Sequence, residues 1–337
     1  MSDAYDRERS VALQAVRAAA TLCQSVRATM DGDVLKKDDR TPVTVADFGS
    51  QALICEALRS AFPNDPVIGE EDASALRTDD NAAVRSRVID QVRARHPDAT
   101  PEDVFSWIDH GTARAYADRY WTVDPIDGTK GFVRGDQYAI ALALVVDGTP
   151  QVAALGCPYL PPNLNFDDPE SRGQVFLAER DHGTMQMPVD PDTGADPKPI
   201  HTSDTTDPAQ SRFTESFVSS HSSHGLAAET GERLGITDAP LRIDSQCKYA
   251  VVARGDAEIY LRLPRPGTNY TERIWDHAAG ALVVEAAGGT VTDMYGEPLD
   301  FTHGPLLEEN TGVVATNGPL HSRVIEALTT AKAELEN

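Results

Sequence analysis

Residues 121–157 constrain the fold more than any other stretch. Trp121-Thr122-Val123 is β-leaning, and the next residues, Asp124-Pro125-Ile126-Asp127-Gly128-Thr129-Lys130-Gly131, are dense in turn formers. Residues 138–146 and 151–156 are then apolar runs joined by Asp147-Gly148, a dipeptide suited to the tight reversal of a β-hairpin. Strand, acidic bend and hairpin in succession predict the middle of a sheet.

Upstream, Val11, Leu13, Val16, Ala20, Cys23 and Val26 recur at close to helical spacing, which predicts an amphipathic helix over 6–30 ended by Asp31-Gly32. The β-leaning Thr41-Pro42-Val43-Thr44-Val45 precedes a second helix expected from about 47 to 61 and closed by Pro63, so Asp47 sits at or near a helix start. Residues 82–120 read as helix, a break at Pro97 and Pro101, and a further helix. Stretches 158–173 and 187–210, rich in Pro, Asp, Thr and Ser, are expected loops. Strands are expected at 215–219 and 258–263, and helices at 226–234, 250–254 and 277–287, the last clear one, closed by Gly288-Gly289. Mixed strands and helices favour layered α/β packing in two units, 1–205 and 206–337.

Charge narrows the partners. Thirty Lys plus Arg against 53 Asp plus Glu leave −23, read as a solvated surface that argues against nucleic-acid backbones and anionic membrane surfaces. A polyanionic small molecule would need locally concentrated positive charge. Only six residues are Lys (36, 37, 130, 198, 248 and 332), so one in an unusual place is informative. Cys23, Cys55, Cys157 and Cys247 form no C-x-x-C pair, the first ten residues are polar, and no apolar run nears the roughly 18 residues of a spanning helix. The expectation is a reduced, cytoplasmic, soluble protein.

Three acid clusters stand at turn or helix-start positions. In the first, Pro125 extends Asp124 and Gly128 permits a reversal, so Asp124, the Ile126 carbonyl and Asp127 can present oxygens from one bend. The second, Gly69-Glu70-Glu71-Asp72, follows an apolar pair, and the third, Ile274-Trp275-Asp276-His277, opens a helix. Singly these are ordinary turn formers, a solvated corner and an N-cap. Together they suit a hard divalent cation, and Mg²⁺ above all, which takes carboxylates, waters and phosphate oxygens.

These residues carry a resemblance. WTVDPIDGTKGF (121–132), GEED (69–72), TPVTVADF (41–48) and WDHAAGALVVEAAGG (275–289) resemble the inositol monophosphatase superfamily of lithium-sensitive, Mg²⁺-dependent phosphatases. GCPYLP (156–161), SSHSSH (219–224), DSQCKY (244–249) and YLRLP (260–264) are more similar to its 3′(2′),5′-bisphosphate nucleotidases, over nearly the whole chain. The resemblance implies an αβαβ sugar-phosphatase fold of two subdomains, with the active site at their junction. By it, Glu70, Asp124, the Ile126 carbonyl, Asp127 and Asp276 hold two or three Mg²⁺ ions, and Asp47 with Thr129 activates the attacking water. Thr129, His221, Ser245, Lys248, Arg262 and Asp276 face the substrate, with Lys248 and Arg262 suited to a second phosphate. Cys247 and the connection 264–273 depart slightly from the family pattern, and His224 and His277 are left unassigned.

The implied function is hydrolysis of adenosine 3′,5′-bisphosphate, and of 3′-phosphoadenylyl sulfate, by a monomer or weak oligomer in sulfur metabolism. The rivals are a sibling phosphatase for inositol phosphates or fructose 1,6-bisphosphate, a non-catalytic acidic metal-binding protein, and a two-carboxylate glycosidase. The glycosidase would leave Thr129, Lys248 and Arg262 without a task.

Overall fold

The computed structural model describes residues 4–28, 34–36, 42–166, 173–217, 224–264 and 270–335. Its helices are α1 (Asp6–Ala28), α2 (Val45–Ala61), α3 (Ala82–Arg93), α4 (Pro101–Asp109), α5 (Thr129–Arg134), α6 (His224–Leu234), α7 (Cys247–Ala253), α8 (Ala278–Ala286) and α9 (His321–Leu335). A short antiparallel pair, β1 (Val34–Lys36) and β2 (Pro42–Thr44), leads into α2. A seven-stranded sheet runs in chain order from β3 (Val67–Gly69) through β4 (Arg119–Asp127), β5 (Ala139–Val146), β6 (Thr149–Cys157), β7 (Gln174–Glu179) and β8 (Gly183–Pro188) to β9 (Lys198–Ile200). Only β3 and β4 are parallel neighbours in it. The second sheet takes β10 (Phe213–Glu215), β11 (Leu241–Arg242), β12 (Ile259–Arg262), β13 (Thr290–Thr292) and β14 (Val313–Thr316) in the order β11-β10-β12-β14-β13.

Alternation along the strands sets the layers. On β5, Ile140, Leu142 and Leu144 join α1 and α2 in one core, while Ala139, Ala141, Ala143 and Val145 face α7 and α8 in another. Period-two alternation sends the two sets to opposite faces, and the alanines let the Ala-rich α8 approach closely. On β12 and β14, Tyr260, Val313 and Ala315 belong to that same inner core, whereas Ile259, Leu261 and Val314 pack with α6 and α9 outside. The layers are therefore helix, sheet, helix, sheet, and a further outer helical layer beyond the four expected.

The expected hairpin is present. Asp147 and Gly148 both have positive φ (49° and 71°), as a two-residue type I′ connection requires. Several boundaries differ from expectation. The helix expected to reach residue 120 stops at Asp109, because Gly111 and Thr112 turn into pairing with β3 through Gly69 N–H to Gly111 O (2.7 Å) and an Ile68–Thr112 bridge. Strand β9 lies inside an expected loop, β10 begins two residues before the expected 215, and α7 begins at Cys247 instead of residue 250. The bend at 124–127 is part of β4 itself. Helix α9 was not expected at all, although Val324, Leu328 and Ala331 are buried along one of its faces. The Asp31-Gly32 stop lies outside the described residues.

One contact between α7 and α8 is close enough to test. A Cβ at Gly280 would stand 2.2 Å from the Tyr249 ring. Gly280→Ala is therefore expected to destabilise the protein by about 1–3 kcal/mol through overpacking, read in a denaturant titration. An unchanged midpoint would show that the two helices part without penalty.

Candidate active site

Both sheets open onto one cleft of about 800 Å³. The acids on its wall are Glu70, Asp124, Asp127, Asp244, Glu272 and Asp276, and the bases Arg114, Lys130, Arg134, Lys248, Arg262 and Arg273. Cleft charge is thus balanced within a chain of net −23, which supplies the local positive charge that an anionic ligand requires.

The acidic side is built by an irregularity in β4. In a regular strand, residues three apart point to opposite faces. Asp124 pairs with Ala141 but Asp127 with Ala139, so three steps on β4 match two on β5. That one-residue bulge restores the parity and turns both carboxylates to the same face, toward the second sheet. Asp124 is buried, and its Oδ1 accepts the Ile126 amide at 3.1 Å. From behind, the Ser50 hydroxyl on α2 donates to Pro125 O at 2.9 Å. Gly128, at φ 88°, then turns the chain into α5, whose first residue, Thr129, donates its hydroxyl to Ile126 O at 3.3 Å.

Asp276 comes from the other side of the cleft, at the end of a 3₁₀ turn, Ile274–Asp276. The sequence allowed it to be an N-cap, but the N-cap of α8 is His277, which makes no capping hydrogen bond. Instead, one oxygen each of Asp124, Asp127 and Asp276 lies within 4.8 Å of the others. At an effective dielectric near 20 such spacing costs on the order of 3 kcal/mol per ionised pair. Burial, then the charges of Glu70, Asp127, Asp276 and Asp47, pushes the Asp124 carboxyl well above the ordinary range. Asp276 is pushed up by burial and by Asp127. Burial also raises Asp127, against the pull of Lys248 and Arg262. An all-oxygen set that repels itself in this way fits a hard cation.

Of the Glu70-Glu71-Asp72 corner, only Glu70 faces the cleft. Glu71 is buried, its backbone clasped by the Gln51 amide at 3.0 and 2.6 Å, and Asp72 accepts Ser74 N–H. Asp47 lies in the first turn of α2, buried, and is not among the described residues that line the cleft; its charge reaches Asp124.

The basic side comes from the second half of the chain. Ser245 adopts φ 67°, a left-handed conformation uncommon outside glycine. It is held there because its carbonyl accepts Lys248 Nζ at 2.8 Å and its Oγ accepts Cys247 N–H at 3.3 Å. The adjacent Gln246 amide donates to Asp127, and its side chain donates to Trp275 O at 3.0 Å, so this turn ties the acidic strand to the Asp276 turn. Lys248 is buried over the Tyr260 ring, with Nζ also donating to Ser216 Oγ at 3.0 Å. Burial brings its pKa down to about 8, against the opposing pull of Asp127. Arg262 ends β12 and pairs with Glu272 through Nε at 3.1 Å. Burial alone would raise Glu272, but the His277 hydrogen bond and the Arg262 charge hold it at about 2.

Of the residues named from sequence, Glu70, Asp124, Ile126, Asp127, Thr129, Ser245, Lys248, Arg262 and Asp276 line this one cleft. His221 and the side chain of His224 lie outside what is described. His277 is buried between the Tyr249 hydroxyl (2.7 Å) and Glu272 (3.1 Å). Sequence reasoning missed Arg114, Gln246, Glu272 and Arg273. Gln246 sits inside the DSQCKY motif, and Glu272 stands four residues before Asp276, so both had a local signal.

The profile of the inositol monophosphatase family matches residues 5–333, so the chain belongs to that family. Among curated proteins it is similar to the 3′(2′),5′-bisphosphate nucleotidase of Schizosaccharomyces pombe, 43% identical over 96% of this chain and 95% of the relative. The proteins of that name from Dictyostelium discoideum (95% of this chain, 96% of the relative) and Oryza sativa (98% and 96%) are each 39% identical. Among solved structures, an inositol monophosphatase from Anabaena shares the fold with TM-score 0.64 at 21% identity, covering 97% of both chains. All four cysteines are free and buried, and no helix among the described residues is long and apolar enough to cross a membrane.

Proposed function

We propose that this protein is a Mg²⁺-dependent 3′(2′),5′-bisphosphate nucleotidase that hydrolyses adenosine 3′,5′-bisphosphate to AMP and phosphate, and 3′-phosphoadenylyl sulfate to adenylyl sulfate. The observation that carries the reading is the pairing, within one cleft, of the Asp124, Asp127 and Asp276 carboxylates with the Lys248 and Arg262 cations. Relatives named for this activity at 38–43% identity support it.

Glu70, Asp124, the Ile126 carbonyl, Asp127 and Asp276 would hold two or three Mg²⁺ ions, which when bound neutralise phosphate oxygens and lower the pKa of water. Asp47, acting with the Thr129 hydroxyl, takes up the proton that the attacking water releases. Lys248 and Arg262 receive the second phosphate, Lys248 as a point charge and Arg262 through its planar fork. Ser245 and His221 complete the nucleotide seat. A link to sulfur metabolism, inhibition by lithium or sodium, a cytoplasmic location and a monomeric or weakly associating state belong to the same reading, as does a division of the chain near residue 205.

Phosphate release measured side by side on adenosine 3′,5′-bisphosphate and inositol 1-phosphate, with Mg²⁺ titrated, tests this. A marked preference for the nucleotide, abolished by EDTA, is expected. Preference for the inositol ester would move the protein to a sibling phosphatase, and no release from either would leave a non-catalytic metal-binding protein. Asp47→Asn is expected to abolish turnover while leaving nucleotide affinity within a few-fold by calorimetry. A near-normal rate would remove Asp47 from proton transfer.

A further inference from the structure

Glu272 has no part in the reaction described above, yet it is the middle of a buried polar chain that crosses three elements. Its Oε1 accepts Arg262 Nε at 3.1 Å, and its Oε2 lies 3.1 Å from His277 Nε2. The other ring nitrogen of His277 lies 2.7 Å from the Tyr249 hydroxyl on α7. Glu272, His277 and Tyr249 are all buried, and Tyr249 is wedged against Gly280. An ionised carboxylate only accepts, so both of its oxygens are matched to donors, and neither can be removed without leaving a buried partner unsatisfied.

We propose that Glu272 is the positioning residue that aims the Arg262 guanidinium at the second phosphate, so that the spacing between two anionic groups is what the cleft selects. An arginine side chain alone samples many rotamers. With Nε engaged, the plane of the fork is set, and its Nη edge, which makes no hydrogen bond among the described residues, is left for a ligand. The same chain passes through His277, the neighbour of Asp276, and Tyr249, the neighbour of Lys248. Arg262, Lys248 and Asp276 are thereby referred to one frame.

The inference rests on the bisphosphate reading, and the test separates the two. Turnover of adenosine 3′,5′-bisphosphate is compared with that of adenosine 3′-monophosphate, which lacks the second phosphate, in wild type, Glu272→Gln, Arg262→Met and the double variant. Glu272→Gln is expected to lower kcat/KM for the bisphosphate about tenfold, mostly through KM, with a much smaller loss on the monophosphate. In the Arg262→Met background it is expected to add nothing. Equal losses on both substrates, or an additive loss in the double variant, would overturn the positioning role. Should Glu272→Gln fail to fold, Glu272→Asp, which keeps the charge and shortens its reach, carries the same expectation. A wild type without preference for the bisphosphate sinks the functional reading and this inference with it. A wild-type preference that Glu272→Gln retains sinks the inference alone.

Discussion

Asp124→Asn is expected to lose about 10³-fold or more in phosphate release and, in chelator, to melt above the wild type. The first effect follows if Asp124 is a ligand of the proposed cation site, because a bound cation supplies several kcal/mol of charge stabilisation, at 1.36 kcal/mol per tenfold. The second follows from repulsion. Asp124 is buried beside Glu70, Asp127 and Asp276, and its pKa is well above the ordinary carboxylate value. An acid that binds its proton more tightly when folded makes the metal-free protein less stable as pH rises above about 4. The amide escapes that loss, so the melting gap between variant and wild type should widen from pH 5 to pH 8. Saturating Mg²⁺ should raise the wild type more than the variant. Thermal melts with EDTA or Mg²⁺ at the two pH values decide it. A variant less stable than wild type in EDTA at pH 8 would mean that the carboxylates do not oppose one another.

Lys248→Ala is expected to cost the bisphosphate about 10²-fold in kcat/KM and a 3′-monophosphate far less, because one charge-assisted hydrogen bond is worth about 1.5–3 kcal/mol. The same residue is expected to set a pH limb. An ammonium brought down to about 8 is charged below that value and neutral above it. Wild-type kcat/KM for the bisphosphate should therefore fall as pH rises through 8, while Lys248→Arg stays flat over the same range. Equal losses on both substrates, or a limb that persists in Lys248→Arg, would disconnect Lys248 from the second phosphate.

Helices α1 and α2, the hairpin β5–β6 and the acidic motifs were legible because each is written in local spacing: apolar residues at helical intervals, Asp147-Gly148 between two apolar runs, and acids beside Pro and Gly. Helix α9 was missed although its buried Val324, Leu328 and Ala331 keep the same spacing. Strands β7, β8 and β9 were missed for a different reason. Gln174 and Glu179 on β7 and Thr184 and Gln186 on β8 interrupt the apolar pattern, β9 is a three-residue edge strand, and all three are held by pairing with neighbours that only the fold provides.

Sequence by itself determined which residue types the cleft would use and most of the elements that carry them, because turn chemistry and hydrophobic period act over a few residues. Tertiary structure decided which of those residues meet. The acids at 71 and 72 were as eligible as Glu70, yet Gln51 and Ser74 hold them elsewhere. Asp124 and Asp127 share a face only through a bulge against β5, and Asp276 joins them from 149 residues away in the chain. Lys248 became a buried cation over Tyr260 when α7 was packed between two sheets. Side-chain direction depends on pairing register and layer packing, which are properties of distant segments in contact.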